Sequence, residues 1–143
     1  MVIGASFFGG NLANILVIDD EEGVRRAIGK VLVREGHEVL EAPDGKVALG
    51  LVKDQPPDLV ICDLFMPEMD GVEVLRELRR DYPDLRVVAI SGGAYAGKVQ
   101  LLDVAKGLGA VAVLKKPFEL AQLLRVVRGV LGGGEAGSQV GGH

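Results

Sequence analysis

The chain has 143 residues, 48% of them hydrophobic, which is the size of one domain with enough apolar side chains for a buried core. A formal net charge of -4 gives no overall electrostatic drive toward nucleic acid or anionic lipid, whose recognition usually shows as a basic face, and the single cysteine, Cys62, excludes an internal disulfide. The opening Met1 to Phe8 is apolar but has no positively charged start and is too short to span a bilayer, so a cytoplasmic protein without a membrane anchor is expected.

Residues 1–13 read as a flexible leader. Ile15-Leu16-Val17-Ile18 is a continuous apolar run cut off by Asp19-Asp20-Glu21, the pattern of a strand covered on both faces that ends at a polar rim. From Glu22 the period becomes helical, with Val24, Ala27, Ile28, Val31 and Leu32 on one face and Glu35-Gly36 as the stop. His37 to Glu41 is a short polar strand suited to a sheet edge, and His37 itself reads as a surface residue. Asp44-Gly45 opens a second helix carrying Val47, Ala48, Leu51 and Val52, which Gln55-Pro56-Pro57 ends.

Asp58 to Cys62 is the third strand, running into Asp63, with Cys62 a small buried hydrophobe. Val72, Leu75 and Leu78 stripe the third helix, which Asp70-Gly71 opens. Arg76, Arg79, Arg80 and Arg86 alternate with Glu73, Glu77, Asp81 and Asp84 as a solvated mixed-charge face. Arg86 to Ile90 is the fourth strand, Leu101, Leu102, Ala105 and Leu108 stripe a fourth helix, and Ala110 to Leu114 is the fifth strand. Leu120, Leu123, Leu124 and Val127 stripe the last helix. Five βα units predict an α/β fold, a doubly wound parallel sheet with helices on both faces, spanning 14–131. Residues 132–143 are a Gly-rich tail or linker stub.

Ligands of an open α/β sheet bind outside the carboxyl ends of its strands. Asp19 and Asp20 follow the first strand, Asp63 the third, Ser91 the fourth and Lys116 the fifth. Converging carboxylates are tolerable around a hard divalent cation such as Mg²⁺, with Mn²⁺ as a substitute. A hydroxyl and an ammonium facing them make sense if a phosphoryl group is also bound, and Asp63 is then the candidate nucleophile. Met66 and Met69 are packing and turn residues, because thioethers suit neither Mg²⁺ nor this acidic setting. Asp19-Asp20-Glu21-Glu22-Gly23 puts acids where a bound pyrophosphate would want backbone amides, which disfavours nucleotide binding.

These pieces together resemble the receiver domain of bacterial two-component response regulators, the CheY-like family. They are Ile15-Leu16-Val17-Ile18-Asp19-Asp20-Glu21, Asp63-Leu64-Phe65-Met66-Pro67-Glu68-Met69-Asp70-Gly71, Ser91-Gly92 and Lys116-Pro117-Phe118, over about residues 14 to 130. The resemblance implies a flavodoxin-like strand order 2-1-3-4-5 and a phosphoacceptor at Asp63. Asp20 would contact Mg²⁺ directly, Asp19 would act through water, and Asp63 and the Phe65 carbonyl would complete the ligands. Ser91 and Lys116 would contact the phosphoryl group, with Leu64, Phe65 and Gly92 beside them, and Lys115 would point away. The Lys116-Pro117 bond would be cis, as is common in the family.

Family members often carry an aromatic switch residue where this chain has Val113, so either output depends more on movement at Ser91 and the following helix, or the switch is weak. Gly92, Gly93 and Gly97 lower rigidity there, and a mobile loop is expected. Phe65 stands at the site's mouth, where the resemblance implies an influence on hydrolysis.

The function implied is phosphorelay signalling. A sensor histidine kinase or phosphotransfer protein supplies the phosphoryl group, and the fourth helix, fifth strand and fifth helix bind an effector or a second copy. The domain would promote its own Mg-dependent phosphorylation and dephosphorylation without being a free-standing turnover enzyme. A phosphorylation-independent docking module is the competing reading, kept open by Val113. An independent metal hydrolase is weaker, for want of a general acid or water-positioning group. The last helix leads straight to the Gly-rich tail, so either a single-domain regulator or a receiver separated from its output domain is expected.

Overall fold

A computed structural model describes residues 12–66, 71–91 and 105–132. In chain order the elements are β1 (Asn14–Ile18), α1 (Glu22–Arg34), β2 (Glu38–Ala42), α2 (Gly45–Asp54) and β3 (Leu59–Asp63). They continue with α3 (Gly71–Asp81), β4 (Arg86–Ser91), β5 (Ala112–Lys115) and α4 (Leu120–Gly132). The leader up to residue 11, Met69 and Asp70, Gly92, Gly93 and Gly97, the Leu101 and Leu102 stripe, and the tail from 133 lie outside the described residues.

All four strand pairings are parallel, and the sheet order is β2-β1-β3-β4-β5, as expected. The pleat sends successive side chains to opposite faces, so the unbroken apolar runs of β1, β3 and β4 feed two cores at once. Leu16, Ile18, Val60, Cys62 and Ala89 pack with Ala48, Val52, Val74, Leu75 and Leu78 under α2 and α3. Ile15, Val17, Ile61, Val88 and Ile90 pack with Ile28, Leu32, Leu123, Val126 and Val127 under α1 and α4. Strand β2 lies at the edge, as its polar sequence implies.

Helix ends follow local chemistry. Asp44 caps α2 by accepting the Val47 N–H at 2.9 Å. Gly36, at φ 101, ends α1 in a Schellman turn, with the Gly36 N–H on the Val33 carbonyl and the His37 N–H on the Leu32 carbonyl. Gly109, at φ 90, closes the helical turn of 105–107 in the same way, with the Ala110 N–H bonded to the Ala105 carbonyl.

That turn corrects the expected start of the fifth strand: Ala110 still serves the preceding helix, so β5 begins at Ala112. Two stripe residues are also corrected, since Val47 is 42% exposed and Leu120 is 39% exposed. His37 is not a simple surface residue either. It is half-buried, its Nδ1 accepts the Ala13 N–H at 3.1 Å, and burial pushes its pKa below the usual histidine range.

Candidate functional site

Ile18 of β1 pairs with Cys62 of β3, so the next residues, Asp19 and Asp63, leave the sheet side by side. Asp63 pairs in turn with Ile90 of β4, which puts Ser91 just beyond it, and Ser91 pairs with Lys115 of β5, one residue before Lys116. Parallel register alone therefore delivers the groups of four strands to one edge. Carboxylate oxygens of Asp19, Asp20 and Asp63 all lie within 4.8 Å of one another, with Asp20 exposed and the other two buried.

Lys116 reaches into this cluster. Its Nζ lies 3.2 Å from Asp63 Oδ2, 3.3 Å from Asp19 Oδ2 and 2.9 Å from Glu21 Oε1. The Lys116 N–H is bonded to the Ser91 carbonyl at 2.6 Å, and the Lys116-Pro117 peptide is cis. Lys115 is exposed, so of the two lysines only Lys116 joins the cluster.

Asp63 Oδ1 accepts the Phe65 N–H at 3.0 Å, while the Phe65 ring is 48% exposed at the mouth. Leu64 presents neither group to the carboxylate. Its side chain is buried in the core under α2 and α3, and its N–H is donated to the Ile90 carbonyl at 2.8 Å. Gly92 lies outside the described residues, and Val113 is buried in the same core as Leu64. Gly71, the first residue of α3, crosses so close behind the site that a Cβ there would come 2.1 Å from the Asp63 carbonyl oxygen. No side chain can be tolerated at that crossing without moving backbone.

Among the described residues, three carboxylates and Glu21 face one ammonium. Burial pushes the Asp63 carboxyl up to about 6, with Asp19 adding to the rise and the Phe65 N–H and Lys116 opposing it. Burial likewise raises Asp19, against the Glu21 N–H and Lys116. Burial opposes the charge on Lys116, yet Glu21, Asp63 and Asp19 outweigh it and hold the ammonium above the usual lysine range. For Asp63 and Asp19 the first cause is burial, and for Lys116 the surrounding carboxylates outweigh it, so a further cation among these carboxylates would be stabilised.

Two buried oxygens strengthen that conclusion. Among the described residues, Asp19 Oδ2 forms the ion pair with Lys116 and meets no other donor, and Ser91 Oγ has no hydrogen-bond partner. Buried polar atoms are normally satisfied, so unused capacity at a cleft marks where a ligand belongs. The donors are all hard oxygens, which fits a magnesium-type cation at Asp19, Asp20 and Asp63.

The model of the family described as "Response regulator receiver domain" matches residues 15–128. The chain belongs to that family. This receiver is 33% identical over 114 residues to the sporulation initiation phosphotransferase F of Bacillus subtilis, covering 80% of this chain and 90% of that protein. It is 38% identical over 118 residues to the response regulator MprA of Mycolicibacterium vanbaalenii, covering 82% of this chain but 49% of that protein. Among solved structures, the receiver domain of NtrX from Brucella abortus superposes with a TM-score of 0.77 at 34% identity, over 83% of this chain and 98% of that one. The receiver thus spans nearly all of some relatives and about half of others.

Glu21, Arg25 and Glu41 were not singled out from the sequence, although each contacts the receiver's acidic turn or a neighbour of it. Arg25 donates from Nη1 to the Asp19 carbonyl at 2.9 Å and from Nε to Glu41 Oε1 at 3.0 Å. An arginine in the first turn of a helix, where the dipole disfavours a cation, was the available signal.

Proposed function

We propose that this receiver captures a phosphoryl group on Asp63 in a Mg²⁺-dependent reaction and signals through altered partner binding. The observation that carries the reading is the buried carboxylate of Asp63 held between the Phe65 N–H and Lys116, beside the Ser91 hydroxyl, which has no partner among the described residues.

A bound divalent cation would be held by Asp19, Asp20, Asp63 and the Phe65 carbonyl, and would supply positive charge for the transferring phosphoryl oxygens. The chain's own groups do the rest. An Asp63 oxygen forms a bond to phosphorus as the P–N or P–O bond of the donor breaks, and the donor leaves with that electron pair. Lys116 exchanges its carboxylate contacts for a phosphoryl oxygen, and Ser91 Oγ donates a hydrogen bond to another. Water attack on the same phosphorus would return the free carboxylate. Little covalent chemistry falls to the protein, so positioning and charge neutralisation dominate.

A histidine kinase or phosphotransfer protein is the donor of matching chemistry, and an output domain or separate effector the reader. An apolar groove beside Lys116, lined by Val24, Ala27, Ile28, Pro117, Phe118 and the exposed Leu120, offers such a protein donor a seat next to the acceptor. Among the described residues no helix is long and apolar enough to cross a membrane.

Beryllofluoride, a phosphoryl mimic, tests the reading by calorimetry. Binding that requires Mg²⁺ and disappears in Asp63→Asn is expected. Absence of binding to the folded wild-type chain would contradict the phosphoacceptor reading and favour a docking-only module.

A further inference from the structure

The acidic turn that carries Asp19, Asp20 and Glu21 opens α1 without the usual device. Glu21 occupies the N-cap position, yet makes no capping hydrogen bond with its side chain, which reaches Lys116 instead. Asp19 Oδ1 takes the Glu21 N–H at 2.9 Å, and the Glu21 carbonyl takes the Arg25 N–H at 2.9 Å. Arg25 then closes the ring by donating back to the Asp19 carbonyl.

Both main-chain groups of Asp19 are therefore tied down from the direction of β2. Its N–H is bonded to the Ala42 carbonyl at 3.2 Å, and its carbonyl is bonded to Arg25, whose Nε is held by Glu41, the residue before Ala42. The Arg25 side chain is only 13% exposed, and Glu41 lies packed over Gly29 of α1, where an added Cβ would come 3.1 Å from Glu41 Oε2. A planar guanidinium suits this double contact, since its fork fixes two acceptors at once.

We propose that Arg25, braced by Glu41 on the edge strand, is the positioning residue of the cation site, fixing the Asp19 backbone so that the Asp19 and Asp20 carboxylates converge on Asp63. The proposal rests on the cation-binding reading given above. Arg25 touches neither the Asp63 carboxylate nor a phosphoryl group, and acts through the turn. Partners that orient ligands in this way are typically worth about 10 to 100-fold in metal affinity.

The sign of the effect separates positioning from simple electrostatics. Removing a positive charge near a cation site strengthens cation binding by Coulomb's law, whereas losing the brace weakens it.

Mn²⁺ affinity of the full chain, read by paramagnetic resonance of the free ion at a temperature where circular dichroism shows each variant folded, makes the test. Arg25→Ala is expected to weaken Mn²⁺ binding about tenfold. Arg25→Lys, which keeps the charge but lacks the fork, is expected to weaken it less, and Arg25→Met, which keeps the stem's packing but has no guanidinium, to weaken it as Arg25→Ala does. Arg26→Ala, at an exposed pair with Glu22 on the same turn, should not weaken it.

If Arg25→Ala does not fold, Arg25→Met and Arg25→Lys carry the test alone. Unchanged or tighter binding in the folded brace variants, with normal wild-type binding, overturns the positioning role and leaves the cation reading standing. No Mn²⁺ binding by the wild-type chain overturns the cation reading, and this proposal with it.

Discussion

Asp63 bears the clearest tension in the molecule: a carboxylate buried beside two others, with one lysine to answer them. Its pKa, raised from 3.8 to about 6, means that the folded chain holds this proton more tightly than the unfolded one. The corresponding stability is full below the unfolded pKa and is lost as pH rises through about 6. In cation-free buffer, Asp63→Asn should therefore gain on the wild type by about 2 kcal/mol between pH 4.5 and 7.5, measured by denaturant titration. A difference that shrinks over that range would contradict the assigned cause. Ser91 makes a sharper contrast, because its hydroxyl is buried with no partner among the described residues. Ser91→Ala should cost under about 1 kcal/mol of stability while slowing phosphorylation, since it removes an unsatisfied group rather than a bond.

Asp19, Asp20, Asp63, Ser91 and Lys116 were legible as a set because each follows an apolar run, and parallel strands bring such ends together. Glu21, Arg25 and Glu41 were not. Where a long side chain ends depends on the turn it leaves and on what meets it, and no spacing in the sequence records that.

The strands of the sheet were read within two residues because runs such as Ile15 to Ile18 admit little else, and the helix stop at Gly36 follows from glycine's tolerance of positive φ. The second such glycine was the harder case. Gly109 delays β5 to Ala112 because Ala110 is still bonded to Ala105, a choice that neither apolar residue betrays. Gly71 shows an element constrained by its neighbour. With only 2.1 Å to the Asp63 carbonyl oxygen, Gly71→Ala should lower stability by about 3 kcal/mol in thermal denaturation, because backbone must shift. Asp44→Ala, which removes an exposed cap from α2, should cost about 1 kcal/mol and leave the site's chemistry intact. Equal losses from the two variants would argue against the crowding at Gly71.

The whole molecule divides its labour between two cores and one rim. Each face of the sheet is sealed by helices, α2 and α3 on one and α1 and α4 on the other, so the polar groups that cannot be buried in pairs gather at the carboxyl edge. Leu120, read from the sequence as part of the last helix's apolar stripe, instead lies at the groove beside Lys116, the seat proposed above for a protein donor. The proposed chemistry makes this rim a phosphoacceptor. Intact mass after incubation with a small-molecule phosphodonor and Mg²⁺ tests it most directly, beside Asp63→Asn and an EDTA control. One acid-stable, base-labile phosphoryl adduct on the wild type, absent from both controls, is the predicted result; no adduct on the folded wild type, or an adduct that persists in Asp63→Asn, would contradict it.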